Sequence, residues 1–143
     1  MQKNTNDKFQ TNRFNGVAIN SKFNPKKLKK EFEHEQNSSC FIATDGVHKN
    51  VSYMIYDDIV VTIGADDKKI SSPTDVKIGD SLNIIYEKHS HNKGMRLENP
   101  YSGFSIIYWY PNKTGIKYNI LNDKVESFEI GNKEHLELME GCS

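Results

Sequence analysis

Val76-Lys77-Ile78-Gly79-Asp80-Ser81-Leu82-Asn83-Ile84-Ile85-Tyr86-Glu87-Lys88 packs three signals into one short run. Val76 and Ile78 alternate with Lys77, as on a short strand. Gly79-Asp80-Ser81 is a turn whose Asp or Ser oxygen can accept a free N–H of a helix's first turn. Leu82, Ile85 and Tyr86 then recur at helical spacing, with Glu87 and Lys88 off that stripe. A weaker version lies earlier in the chain, about 59 residues away: Val17-Ala18-Ile19-Asn20-Ser21-Lys22-Phe23, followed by Leu28 and Phe32. A spacing of that size suggests a duplicated αβ unit rather than a solenoid, which needs more copies to bury a core.

Working outward, residues 26–36 read as a helix opened by Asn24 as cap and Pro25 at its first position. It would bury Leu28 and Phe32. Lys26, Lys27, Lys29 and Lys30 at its start and Glu31, Glu33 and Glu35 at its end oppose the macrodipole. The run reads as a solvated face in preference to an electrostatic handle for a partner. Strands follow at residues 40–44, 51–56, 59–63 and 69–71, with Asp57-Asp58 as a tight hairpin turn. After the central motif come strands at 95–97, 104–110, 115–121 and 125–130, and an edge strand at 136–139. Ile59, Ile63 and Asp66 match Ile116, Ile120 and Asp123 at a constant offset of about 57, which supports the duplication. Residues 14–19 read as the first strand.

The expected fold is α+β: one domain over residues 14–142, built of two tandem units (14–72 and 73–142), each a helix packed on antiparallel sheet. Residues 1–13 are polar and expected to be disordered. The length of 143 residues suits one domain with a real core.

Lys plus Arg number 19 and Asp plus Glu number 19. A balanced charge argues against a dedicated nucleic-acid binder. No apolar run reaches membrane-spanning length. The N-terminus lacks an apolar h-region, so no signal peptide is read in this sequence. Cys40 and Cys142 admit either one bridge or two unrelated thiols.

Chemistry-bearing patterns are sparse. His89 and His91 form an H-x-H, but no third ligand of fixed spacing lies near, so no metal site is assigned. His34, His48 and His135 are isolated, and neither cysteine carries a nucleophile's flanking signature. Asp57-Asp58 and Asp66-Asp67 read as turn formers. No phosphate loop or nucleotide fingerprint occurs, so no cofactor and no catalytic residue is assigned. The aromatic run Tyr108-Trp109-Tyr110 says more. On a strand, Ile106, Tyr108 and Tyr110 point one way, and Ile107 and Trp109 the other. One sheet face should pack under the helices. The other should be mixed and half-wet, with Trp109, Ile107, Val60 and Thr62 beside Lys117 and Asn119. Such a face suits a protein partner.

Val76-x-Ile78-Gly79-Asp80-Ser81, Gly115-Ile116-Lys117-Tyr118, Val125-x-x-Phe128-x-Ile130-Gly131 and the ending Met139-Glu140-Gly141-Cys142 resemble a group of small secreted or periplasmic bacterial proteins. Those proteins have tandem repeats like those of β-lactamase inhibitor protein and, more distantly, BamE, and often end in E-G-C. The resemblance covers about residues 14–142; Asn20 departs from it, standing where the pattern has a second glycine. It implies a periplasmic or secreted location, with the signal peptide outside this sequence. It also implies a Cys40–Cys142 disulfide and an open sheet face that binds another protein. The expected function is thus a non-catalytic protein-binding module of the cell envelope, of inhibitor or immunity type against a toxin or hydrolase. The alternatives are an envelope assembly module or a small-ligand binder.

Overall fold

A computed structural model describes residues 7–31, 39–138 and Cys142. Its first half holds β1 (Asp7–Lys8), β2 (Arg13–Phe14), β3 (Val17–Ala18), β4 (Lys29–Lys30), β5 (Cys40–Thr44), β6 (Val51–Tyr56), β7 (Ile59–Ala65) and β8 (Ile70–Ser71). The second half holds α1 (Leu82–Lys88), β9 (Met95–Glu98), β10 (Phe104–Trp109), β11 (Thr114–Leu121), β12 (Lys124–Asn132) and α2 (Lys133–Leu136). Eight strands form one antiparallel sheet in the order β4-β5-β6-β7-β12-β11-β10-β9. Two meanders of four strands therefore meet edge to edge where β7 pairs with β12 through Ile63↔Ile130 and Phe128↔Ala65.

The protein is mostly β, and the α+β expectation of two helix-on-sheet units is overturned: the described helices are two short ones. The helix expected at 26–36 is the main loss. Asn24 does open a turn, its side chain accepting from Lys26 N and its carbonyl from Lys27 N and Leu28 N. The chain then extends, and Lys29 and Lys30 pair with Thr44 and Ala43. Lysines crowded at a positive helix end disfavour propagation, whereas a strand pairing uses the same backbone groups without that conflict. Residues 32–36 of the expected helix lie outside the described residues.

Other expectations shift more modestly. Residues 14–19 are not one strand: Asn15 and Gly16, both at positive φ, fold β2 back on β3. The disorder expected through residue 13 does not extend to residues 7–13, because β1 pairs in parallel with β8 and Phe9 is 1% exposed in the core. The edge strand expected at 136–139 is instead the end of α2, and Met139 lies outside the described residues. α1 forms where its pattern placed it and buries Ile85. Its Ser81 makes no side-chain cap; Asp80 instead accepts from Lys77 N and closes the preceding turn.

The early motif and the central one make the same backbone contacts. Asn20 N donates to Val60 O and Val60 N to Ser21 O; Gly79 N donates to Val125 O and Val125 N to Asp80 O. Phe23 N donates to Asp58 O as Leu82 N does to Asp123 O. The matching hairpin turns are Asp57-Asp58 and Asn122-Asp123, all at positive φ. The offset of about 57 read in the sequence is wrong, because it equates β7 with β11 when the hydrogen bonds equate β7 with β12.

The core lies on one face of the sheet. Tyr53, Ile55, Ile63, Ile116, Tyr118 and Ile130 point into it. Phe9, Phe14, Val17, Ile19 and Leu28 of the N-terminal strap cover one part, and Val76 and Ile85 another. Phe9 stacks on Phe14 at 4.4 Å and meets Phe128 edge-on at 5.3 Å.

Candidate functional site

On the sheet's second face, Ile107, Lys117 and Glu129 align across β10, β11 and β12, as do Ser105, Asn119 and Ser127. Half of this face is not open. β12 runs straight into α2, capped by Asn132 Oδ1 accepting from His135 N, and α2 folds back over the sheet. Gly115 and Gly131 make that close approach possible. A Cβ on Gly115 would lie 2.6 Å from the Trp109 ring and 2.9 Å from Leu136 Cδ2; one on Gly131 would lie 2.8 Å from Thr62 Cγ2 and 3.1 Å from Leu136 Cδ1. Leu136 fills the space the two missing side chains leave, and it is fully buried. The Cys40–Cys142 disulfide, Cα–Cα 5.3 Å, fastens the C-terminal segment to β5.

This cover corrects the half-wet face expected from the sequence. Ile107 and Thr62 are buried, and Lys117 is 4% exposed, its Nζ donating to Leu138 O at 2.9 Å and lying 3.0 Å from Glu129 Oε2. Asn119 is half-buried, accepting from Ser105 Oγ and donating to Ser127 Oγ. Val60 is not on this face. The register shifts between Met54 and Ile55, which breaks alternation along β7 and turns Val60 into the main core opposite Ile55. Of the six residues expected to meet a partner, Trp109 stays substantially open, at 38% exposure.

Trp109 stands at a strand edge. Tyr110 N donates to Thr114 O, and by alternation Tyr108 and Ile106 spend their backbone groups on β11. Ile107 and Trp109 then face the β9 side, where pairing stops at Ile107↔Met95. Beyond that pair, the Trp109 N–H and C=O look onto a cleft of about 370 Å³, lined by His89, Asn92, Gly94, Met95, Tyr108 and Trp109 among others.

His89 forms the cleft's inner wall. Its ring stacks on Tyr108 at 3.7 Å and 5°. Its Nε2 lies 2.8 Å from the Tyr118 hydroxyl, which is 3.2 Å from Ser72 Oγ. Burial pushes the imidazole down to about 4, so it is neutral at neutral pH. Burial also pushes Tyr108 up to about 12 and Tyr118 beyond the ordinary phenol range. Three groups held neutral in this way can hydrogen-bond a ligand but are poor acids and bases at neutral pH. His91 does not join His89: it is exposed, on the other side of a turn at positive φ. Among the described residues no group of three or more His, Cys, Asp or Glu is placed to hold a metal.

A second polar cluster escaped the sequence reading. Asp45 accepts from Val47 N, His48 N, Asn15 Nδ2 and the Tyr53 hydroxyl. His48 Nδ1 lies 2.9 Å from Asp45 Oδ2, and its Nε2 lies 2.8 Å from Asp7 Oδ2. Burial works against the Asp45 charge, but the hydrogen bonds from His48, Tyr53 and Val47 outweigh it and hold the carboxyl down to about 2. Burial likewise opposes a charged His48, yet the bonds to Asp45 and Asp7 prevail and raise it. The local signal was Asp45-Gly46-Val47-His48, an Asx turn. Nothing in spacing pointed to Tyr53 or Asp7. The cluster ties β1 to the β5–β6 loop and contains no nucleophile.

An antiparallel sheet of two joined meanders, strapped on its core face and bridged by a disulfide to its C-terminal segment, defines the class of protein. Among solved structures the chain is similar to the DUF4309 family protein YjgB from Bacillus subtilis, with TM-score 0.55, 9% identity and 84% of each chain covered. At that identity the likeness is one of fold. No family model matches the chain, and no curated protein sequence matches it.

Proposed function

We propose that this chain is a non-catalytic protein-binding module that works outside the bacterial cytoplasm, and that its partner docks at the Trp109 edge of β10. The observation that carries the reading is the half-exposed Trp109 beside an unpaired strand edge and a preformed cleft. An indole with one open side, backed by buried neighbours, is the usual anchor of a binding hot spot. The N–H and C=O of the same residue, which no strand among the described residues pairs, suit an extended partner segment added to the sheet. The Cys40–Cys142 bridge supports an oxidising compartment. Among the described residues no helix is long and apolar enough to cross a membrane.

Within this class an inhibitor or immunity-type role ranks first, since a disulfide-bonded sheet loses little entropy on docking. An envelope assembly module is the second reading. Capture from envelope extract with wild type and Trp109→Ala tests the docking edge. The variant should lose about 2 kcal/mol or more of affinity, roughly thirtyfold. A partner held equally well by both proteins would remove Trp109 from the interface. Blocked hydrolase or toxin activity in the captured partner separates inhibitor from assembly module.

A further inference from the structure

The N-terminal strap carries a second feature, a cleft that shares no lining residue with the one beside Trp109. From residue 8 to residue 30 the chain has seven cations and no acid, although the whole chain has zero formal charge. The fold gathers three of these cations. The β2–β3 hairpin and the turn opened by Asn24 enclose a cleft of about 260 Å³ lined by Arg13, Lys22 and Lys27, with Val17, Ser21 and Leu28 forming much of the rest. Lys27 Nζ is held at the rim by the Gly16 carbonyl at 3.0 Å, which leaves two of its N–H groups to donate elsewhere. Among the described residues, Lys22 has a long contact to Asp58, at 3.9 Å. Among the described residues, neither Arg13 nor Lys27 has a carboxylate partner.

We propose that this cleft is an oxyanion-binding site that takes a phosphate group. Three cations line this one cleft, with a single long carboxylate contact between them, at Lys22, so the cleft favours an anion. A phosphate fits better than a single carboxylate, because it brings close to two negative charges and three acceptor oxygens. The Arg13 guanidinium supplies a planar fork for two of those oxygens, and the lysines act as point charges for the rest. The strap shape explains why a neutral protein concentrates its cations: the β2–β3 hairpin contributes Arg13, and the segment after it contributes Lys22 and Lys27.

Backbone NMR of the full chain, titrated at constant ionic strength, tests the site with three probes: inorganic phosphate, glycerol 2-phosphate and linear polyphosphate. Saturable shifts should centre on residues 13–28. Arg13→Gln combined with Lys27→Gln should weaken binding at least about tenfold, the scale of losing charge-assisted hydrogen bonds. The control pair Lys88→Gln and Lys93→Gln should leave it unchanged. Because Lys27 also braces the hairpin, Lys22→Gln alone serves as a second variant and should weaken binding about threefold without altering the thermal melt. Binding of inorganic phosphate or the monoester identifies a small ligand; binding of polyphosphate alone through the same residues identifies a polymeric one. The proposal is overturned if none of the probes shifts residues 13–28, or if the double variant binds as tightly as wild type. Trp109→Ala should leave phosphate binding intact, so this site and the Trp109 edge stand or fall separately.

Discussion

Each half of the sheet carries a buried or half-buried histidine fixed by polar contacts, His48 in the first and His89 in the second, and the two are held in opposite states. His48, in the first half, sits between two carboxylates and both ring nitrogens face acceptors. That arrangement calls for the charged imidazolium, since an ionised carboxylate only accepts. His89, in the second half, lies flat against Tyr108 and beside the Tyr118 hydroxyl, away from any carboxylate. That arrangement calls for the neutral ring. The contrast follows from what covers each half. The strap that covers the first brings Asp7 to His48. The helix that covers the second delivers its C-terminal His89 into aromatic surroundings. The same frame of backbone hydrogen bonds thus supports a lysine-rich turn in one half and a real helix in the other.

The largest effect should come from cutting the covalent tie. Replacing both Cys40 and Cys142 by serine opens a bridge between residues 102 apart in sequence. Loop-closure entropy assigns about 4–5 kcal/mol to such a link. Calorimetry should show a much lower Tm but still one transition, because β7 and β12 join the halves independently of the bridge. Two separated transitions would show that the histidines report on independent units, and the comparison would lose its meaning.

Acid should act next, through His89. In the unfolded chain this ring takes a proton near pH 6.5; in the folded one it does so only at about 4. Between those values the unfolded state binds more protons, so stability falls as pH falls, by at most about 3 kcal/mol at pH 4, reduced by the water that reaches the half-buried ring. Urea midpoints measured from pH 7 to pH 4 should slope accordingly. His89→Phe keeps the stack on Tyr108 and removes the titrating group, so its slope should flatten. An equally steep slope in the variant would place the acid sensitivity elsewhere.

Much of the sheet was legible because its strands alternate cleanly and its turns are marked by Asp-Asp, Asn-Asp, Pro and Gly. α1 was legible because Leu82, Ile85 and Tyr86 fall on one stripe behind a turn. The first helix was misread because Leu28 and Phe32 share that spacing, while the competing pairing of Lys29 and Lys30 with β5 is a long-range event that local periodicity does not encode. The candidate site suffered from the same limit. Alternation put Trp109 on the second face correctly, but it carried no information that Gly115 and Gly131 are small to admit Leu136. It also sent Val60 to the wrong face, since a bulge leaves no mark in apolar-polar alternation.

The Asp45 hub tests the first half directly. Tyr53→Phe removes one donor from a carboxylate held down to about 2 by burial-opposed hydrogen bonds. Hydrogen bonds to charged groups contribute about 1.5–3 kcal/mol, so a loss of about 2 kcal/mol at neutral pH is expected. Carbon-detected NMR should show the Asp45 carboxyl titrating at higher pH than in wild type. If stability drops without any rise in that titration, Tyr53 acts through packing and the charge account of this half is wrong.

The smallest effect distinguishes the two histidines most cleanly. Asp7 is about half exposed, so solvent screens its charge and its loss should cost little stability. Its effect on His48 should be visible all the same. The folded ring is raised above its ordinary value, so its contribution is complete below pH 6.5 and is lost as pH climbs through the folded value. Asp7→Asn keeps an acceptor near Nε2 but removes the charge, which should move the His48 titration back toward 6.5 and shift the onset of alkaline weakening to lower pH. The His89 titration should not move, because no charged partner feeds it. Proton-detected histidine titrations of wild type and variant read both rings in one experiment. If His89 moves along with His48, the halves communicate electrostatically, and their opposite protonation states are coupled properties of the whole sheet. If neither moves, the Asp7 contact holds β1 against the loop without setting the charge of His48, and Asp45 alone accounts for the imidazolium.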